Sequence, residues 1–205
     1  MTICLVTDRR RRSVVEQCRD AVQAGVDLIQ VRERDLEGAA LSALVAELVG
    51  MTRATTTRVV VNERLDVALA CGADGVHLRG DSISPARARS IAPPGFLVGR
   101  SVHAADEAVR TASGADYLIA GTVFPTSSKP DLHELLGLEG LAAIARSVAV
   151  PVLAIGGVSM ERIGPVADAG AAGIAAIGLF LGEGAPLAAV VREARRRFDR
   201  ARSPS

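Results

Sequence analysis

Aromatic side chains are nearly absent from this chain: 2% of 205 residues, with no tryptophan and a single tyrosine. Base-stacking platforms of the kind that hold single-stranded nucleic acid are thereby excluded. The core has to be built from Ala, Val, Leu and Ile. Cysteine is scarce too. Cys4, Cys18 and Cys71 are odd in number, far apart and set in apolar sequence, which reads as structural thiols rather than a disulfide or a metal site. Charge of one sign does not dominate: 24 Lys and Arg against 23 Asp and Glu leave a net +1, too little to draw in DNA or an acidic membrane. No run reaches the ~18 apolar residues of a membrane helix. The opening MTICLVTD enters a strand pattern at once, without the basic flank and apolar stretch of a leader. A cytoplasmic, soluble protein without nucleic-acid or membrane partners is expected.

Short apolar runs are what the chain has instead. They are ICLVT (3–7), DLIQVR (27–32), RVVVN (58–62), GVHL (75–78), FLVGRS (96–101), YLIAG (117–121), PVLAIGG (151–157) and GIAAIG (173–178). Several lack polar alternation, as parallel strands covered on both faces do. Amphipathic stretches such as 13–23, 41–51 and 187–198 lie between them. AGVD (24–27), CGAD (71–74), SGAD (113–116) and AGAA (169–172) form a weak repeat in which glycine closes a helix before a strand opens. This alternation without a break in composition predicts an α/β fold, a single (β/α)8 TIM barrel over 1–205, with a disordered tail from about residue 200. A doubly wound sheet is the competitor, disfavoured because TDRRRRS follows the first run where a GxGxxG would stand.

In such a barrel, chemistry collects at the C-terminal strand ends. The glycines of IGG (155–157) and Gly178 expose backbone N–H groups able to cradle phosphate, although a tight strand-to-helix turn would explain one such pair. Gln30, Arg32 and Arg34 alternate in QVRERD and fall on one face while the strand continues. Guanidinium forks there suit paired phosphate oxygens. Asn62 and Glu63 end one run and Asp81 follows the next, so the two carboxylates could share a magnesium ion; equally, Glu63 could cap a helix and Asp81 shape a turn. The loop 121–137 is long enough to be functional and to act as a lid, with Thr126, Ser127, Ser128 and Lys129 wrapping an anion. His133 reads as an exposed loop residue and His77 as a plug in the barrel mouth. Ser101 and His103, two apart beyond a strand, imply no nucleophile. The run RRRR (9–12) reads as a solvated loop.

Taken in order, LVTD (5–8), QVRERD (30–35), VNERLDVAL (61–69), GADGVHL (72–78), GRSVH (99–103), GADYLIAGTVFPTSSK (114–129), GLEGL (137–141), PVLAIGGVS (151–159) and AGAAGIAAIG (169–178) resemble one family. It is that of thiamine phosphate synthase and its sister group, the TenI-type thiazole tautomerases. The resemblance covers almost the whole chain. It implies an enzyme that joins a pyrimidine diphosphate to a phosphorylated thiazole, releasing diphosphate with the help of Mg2+. It further implies that Gln30, Arg32, Arg34, Asn62, Ser101 and Lys129 grip the pyrimidine diphosphate. Thr126, Ser128, Gly157, Ile177 and Gly178 would hold the thiazole phosphate, with Arg32, Ser101 and Lys129 nearest the chemistry and Glu63 and Asp81 on the metal.

Four departures from the family pattern stand out. Synthases usually read Asn-Asp where this chain has Asn62-Glu63, and His-Leu-Gly-Gln-x-Asp where it has His77 to Ser82. Arg34 stands where lysine is common. The tautomerase's catalytic histidine corresponds here to Thr122, although SISP (82–85) and GRSVH resemble that branch. Synthase is the expected activity. Alternatives are a metal-free tautomerase acting on a thiazole carboxylate phosphate, and a non-catalytic or regulatory ligand-binding barrel. A homo-oligomer is left open.

Overall fold

Each of the eight apolar runs forms a strand. The computed structural model describes residues 1–126, 134–182 and 184–202. The strands are β1 (Thr2–Val6), β2 (Leu28–Val31), β3 (Arg58–Asn62), β4 (Gly75–Leu78), β5 (Leu97–Val102), β6 (Tyr117–Ala120), β7 (Val152–Ile155) and β8 (Gly173–Ala176). After them come α1 (Val14–Ala24), α2 (Gly38–Thr52), α3 (Leu65–Ala70), α4 (Pro85–Arg89), α5 (Ala105–Thr111), α6 (Gly137–Ser147), α7 (Ile163–Asp168) and α8 (Leu187–Arg202). All neighbouring strands pair in parallel, and β1 also pairs with β8, closing the barrel in chain order. The (β/α)8 expectation is met. No helix among the described residues is long and apolar enough to cross a membrane.

Strand alternation divides the core into two layers. Ile3, Leu5, Ile29, Val59, Val61 and Val98 point outward and pack under the helices. Cys4, Val6, Leu28, Val60, Tyr117, Ile119, Leu153 and Ala175 point inward and fill the barrel. The only tyrosine is therefore an interior side chain, and its bulk needs a gap opposite. Gly99 provides it: a Cβ there would lie 2.2 Å from Tyr117 Cζ and 2.7 Å from His77 Nδ1. At the closing seam, a Cβ on Gly173 would lie 1.9 Å from the Thr2 carbonyl oxygen.

The same alternation carries polar residues inward near the strand ends. On β2 the inward series runs Leu28, Gln30 and on to Arg32; on β3 it runs Val60, Asn62; on β4, Gly75, His77; on β5, Gly99, Ser101. This upper layer is the floor of the site.

Candidate active site

A cavity of about 410 Å³ opens at the C-terminal end of the barrel. Its lining includes Gln30, Arg32, Arg34, Asn62, Ser101, Thr126, Gly157, Ile177 and Gly178, so nine residues singled out from the sequence meet there. Ser128, Lys129 and His133 lie outside the described residues. Glu63 and Asp81 do not line the cavity.

The arginine wall is built from the β1 and β2 loops. Buried Glu33 stitches them together: Thr7 Oγ1 donates to Glu33 Oε1 (2.6 Å) and the Arg9 N–H to Glu33 Oε2 (3.2 Å). The Arg32 N–H donates in turn to Thr7 Oγ1 (3.0 Å), fixing the backbone from which that guanidinium projects. Burial, followed by the positive charge of Arg34 and Arg79, lowers Arg32 from its ordinary value, with Asp8 and Glu33 opposing. No described carboxylate lies within ion-pair distance of Arg32 or Arg34. Cations held this close together, with no ion-pair partner among the described residues and only the wider field of Asp8 and Glu33 against them, are poised for a polyanion. Beside them, Gln30 Nε2 donates to Asn62 Oδ1 (2.9 Å). That bond leaves Gln30 Oε1 and Asn62 Nδ2 without a protein partner among the described residues.

Across the barrel, the ends of β7 and β8 supply backbone. Gly157 has φ +60 and lies so close to the β6 loop that a Cβ would meet the Pro125 carbonyl oxygen at 2.3 Å. The loop is tied down there by Val123 N to Ile155 O (2.9 Å) and Phe124 N to Gly156 O (3.0 Å). Its far end returns through Leu136 N to Thr122 O (2.8 Å). After β8, Phe180 and Leu181 N–H groups turn back to Ile177 O (3.1 and 2.9 Å), while the space beside Gly178 is open.

His77 does plug the barrel mouth. It is 1% exposed, and its Nε2 lies 2.9 Å from Ser101 Oγ. The ring stacks on Tyr117, with centroids 5.7 Å apart. Burial, and secondarily Arg100, pulls its pKa down to about 3, so the imidazole is neutral. Ser101 thus pairs with His77; His103 faces Glu107 instead (3.4 Å).

Two cavity cations were not anticipated from the sequence. Arg11 belongs to RRRR, whose Arg9, Arg10 and Arg12 do pair with Asp35, Glu16 and Asp20 as a solvated loop would; Arg11, near Asp8 (3.7 Å), also lines the cavity. Arg79 lies in the β4–α4 loop. Buried Arg100 holds that loop from below, donating to Gly80 O (2.7 Å), Ile83 O (3.0 Å) and Ser82 O (3.4 Å).

Glu63 and Asp81 both answer to Arg79. Glu63 Oε1 accepts from the Arg79 N–H (2.7 Å) and from the Ser82 hydroxyl, and Oε2 lies 3.8 Å from Arg79 NH1. Asp81 Oδ2 lies 3.1 Å from Arg79 NH2. Magnesium asks for octahedral oxygen donors at about 2.0–2.1 Å. A carboxylate oxygen already accepting two hydrogen bonds, and a second carboxylate drawn out by a guanidinium, do not fit it. Among the described residues, no group of three or more His, Cys, Asp and Glu is gathered to hold a metal. Glu63 is also the one described non-glycine residue with positive φ (68°); its side-chain bonds hold that unfavourable backbone in place.

Known proteins share this fold and much of this sequence. The family model described as thiamine monophosphate synthase matches residues 3–180. The thiamine-phosphate synthase of Methanoregula boonei is 42% identical over 192 residues, covering 93% of this chain and 88% of that one. That of Methanoculleus marisnigri is 41% identical over 184 residues, covering 88% and 87%. The solved thiamine phosphate pyrophosphorylase of Pyrococcus furiosus superimposes with a TM-score of 0.87 at 34% identity, covering 98% of this chain and 97% of that one. The chain belongs to the thiamine monophosphate synthase family, TMP-TENI.

Proposed function

We propose that residues 1–205 form one catalytic barrel that acts in the cytoplasm as a thiamine-phosphate synthase. It couples a hydroxymethylpyrimidine diphosphate to a thiazole phosphate. One observation carries the reading: a single cavity has Arg32 and Arg34, without an ion-pair partner among the described residues, on the β2 side and glycine-rich backbone at the ends of β7 and β8 across the barrel. Two phosphorylated substrates can be held facing each other only by such a pair of anion sites.

Gln30, Arg32, Arg34, Asn62, Ser101 and Lys129 hold the pyrimidine diphosphate. Thr126, Ser128, Gly157, Ile177 and Gly178 hold the thiazole phosphate. The carbon–oxygen bond between the pyrimidine methylene and the diphosphate breaks, and its electron pair leaves with the diphosphate. The thiazole nitrogen lone pair then forms the new carbon–nitrogen bond. No proton is transferred, so the step needs fixed positive charge and positioning rather than a general base. A neutral, buried His77 suits that role: it orients the Ser101 hydroxyl and adds no competing titration. The tautomerase reading requires a proton carrier at position 122, and the buried Thr122 offers none.

Supplying both substrates should yield thiamine phosphate and one equivalent of diphosphate. Arg32→Ala should lower kcat/KM by about 10²- to 10³-fold, the loss typical of one preorganised charge contact. Isomerisation of a thiazole carboxylate phosphate without diphosphate release would favour the tautomerase. Binding of thiazole phosphate with neither turnover would leave a ligand-binding barrel.

A further inference from the structure

Arg79 occupies ground between two carboxylates and the cavity. Its NH1 faces Glu63 Oε2 at 3.8 Å, its NH2 meets Asp81 Oδ2 at 3.1 Å, and its amide donates to Glu63 Oε1 at 2.7 Å. Ser82 locks the same turn, accepting from the Arg79 N–H (3.1 Å) while donating to Glu63 Oε1. Both carboxylates are therefore committed to a cation, and that cation is part of the chain. The side chain is 40% exposed and lines the cavity with Arg32 and Arg34. It stands close enough to Arg32 to disfavour that residue's charged form. Arg100, buried beneath, fastens three carbonyls of the loop, so the position of Arg79 is built rather than incidental.

We propose that the Arg79 guanidinium supplies, toward the departing diphosphate, the positive charge that a divalent ion would otherwise bring, so that this chain binds diphosphate without a divalent metal. Each terminal nitrogen of the guanidinium carries two N–H groups, so one on each is left for a phosphate oxygen beyond the contacts to Glu63 and Asp81. With Arg32 and Arg34 lining the same cavity, three guanidiniums outweigh the two carboxylates without exchanging a proton with the leaving group. Glu63 and Asp81 act as its holders. The inference rests on the synthase reading for its chemistry, and its first test does not need turnover.

The test is calorimetric titration of the full chain with inorganic diphosphate, in chelator and then in excess magnesium. Binding is expected in chelator, with magnesium changing Kd by less than about threefold. Arg79→Ala should weaken the metal-free Kd by about 10- to 100-fold, the range for losing a charge-assisted contact. Arg79→Gln, which keeps a donor for Asp81, should do the same while melting at the wild-type temperature. Binding that appears only with magnesium, or a folded Arg79→Gln protein with unchanged metal-free affinity, overturns the proposal. Product assays separate the two readings. Thiamine phosphate formed only with magnesium keeps the synthase and removes the role of Arg79. Metal-free diphosphate binding through Arg79 with no product under any condition does the reverse.

Discussion

At position 77 the fold buries an imidazole completely and stacks it on a phenol, and the acid response of the protein follows from that burial. The folded chain holds His77 near pKa 3 against an ordinary 6.5. Between those values the unfolded chain takes up a proton that the folded chain refuses. Stability is therefore fully present above about pH 6.5 and falls as the pH drops towards 3. The slope from this one group is at most about 1.4 kcal/mol per pH unit, and a chain of this size loses about 2–4 °C of Tm per kcal/mol. Melting curves between about pH 4 and pH 7 should be visibly flatter for His77→Asn than for the wild type; parallel curves would rule the mechanism out. Position 77 also marks where residue-level reading of the sequence stops. Gln30, Arg32 and Arg34 were legible as one face because strand alternation dictates their direction, Asn62 and His77 from their places at strand ends, and Ser101 only through the family resemblance of GRSVH. Arg79 and Asp81 were not. They are two apart in a loop without period, and the choice of which one turns inward is made by Glu63 and by Arg100, some twenty residues further on.

The element that most closely shapes the half of the cavity proposed for the thiazole phosphate is the junction between β7 and the β6 loop. Gly157 takes a left-handed φ of +60 directly beneath the Pro125 carbonyl, 2.3 Å from where a Cβ would stand. Gly157→Ala therefore meets strain and backbone collision together. It should destabilise the chain by about 1–3 kcal/mol. It should also push the β6 loop off the cavity, raising KM for the thiazole phosphate more than for the pyrimidine diphosphate. Steady-state kinetics with each substrate varied in turn reads that difference, and equal effects on both would count against it. The strands themselves were readable almost to the residue, because uninterrupted Val, Ile and Leu runs are what a doubly covered parallel strand needs. The short α4, five residues long, is set by Ser84 Oγ accepting from Arg87 N (3.2 Å) and by Pro85 at its start. Those signals stand in the SISP motif.

For the molecule as a whole, closure is the decisive property. The barrel exists because β8 returns to β1, with Gly173 beside Thr2 and no room for a methyl group between them. On the outside, Arg195 of α8 latches the same seam, donating to Met1 O (2.8 Å) and Gly25 O (2.9 Å) and pairing with Asp27 (2.9 Å). Gly173→Ala should therefore weaken every strand pair at once rather than one edge. A loss of about 3 kcal/mol or more is expected, seen as a lower denaturant midpoint with the slope unchanged. A change in slope would mean that the seam opens on its own. Closure was inferred from the count of strand-helix alternations, but the seam contact was not, since nothing local to Gly173 names Thr2 as its neighbour.

Tyr117, read above as a space-filling problem answered by Gly99, also gives the protein a built-in light source. With no tryptophan in the chain, ultraviolet emission comes essentially from one phenol, seated under the cavity against His77. Its emission should therefore change as the barrel opens and, through the stacked His77 that does line the cavity, as the site fills, so an unlabelled, unmodified sample carries its own optical gauge one side chain below the cavity.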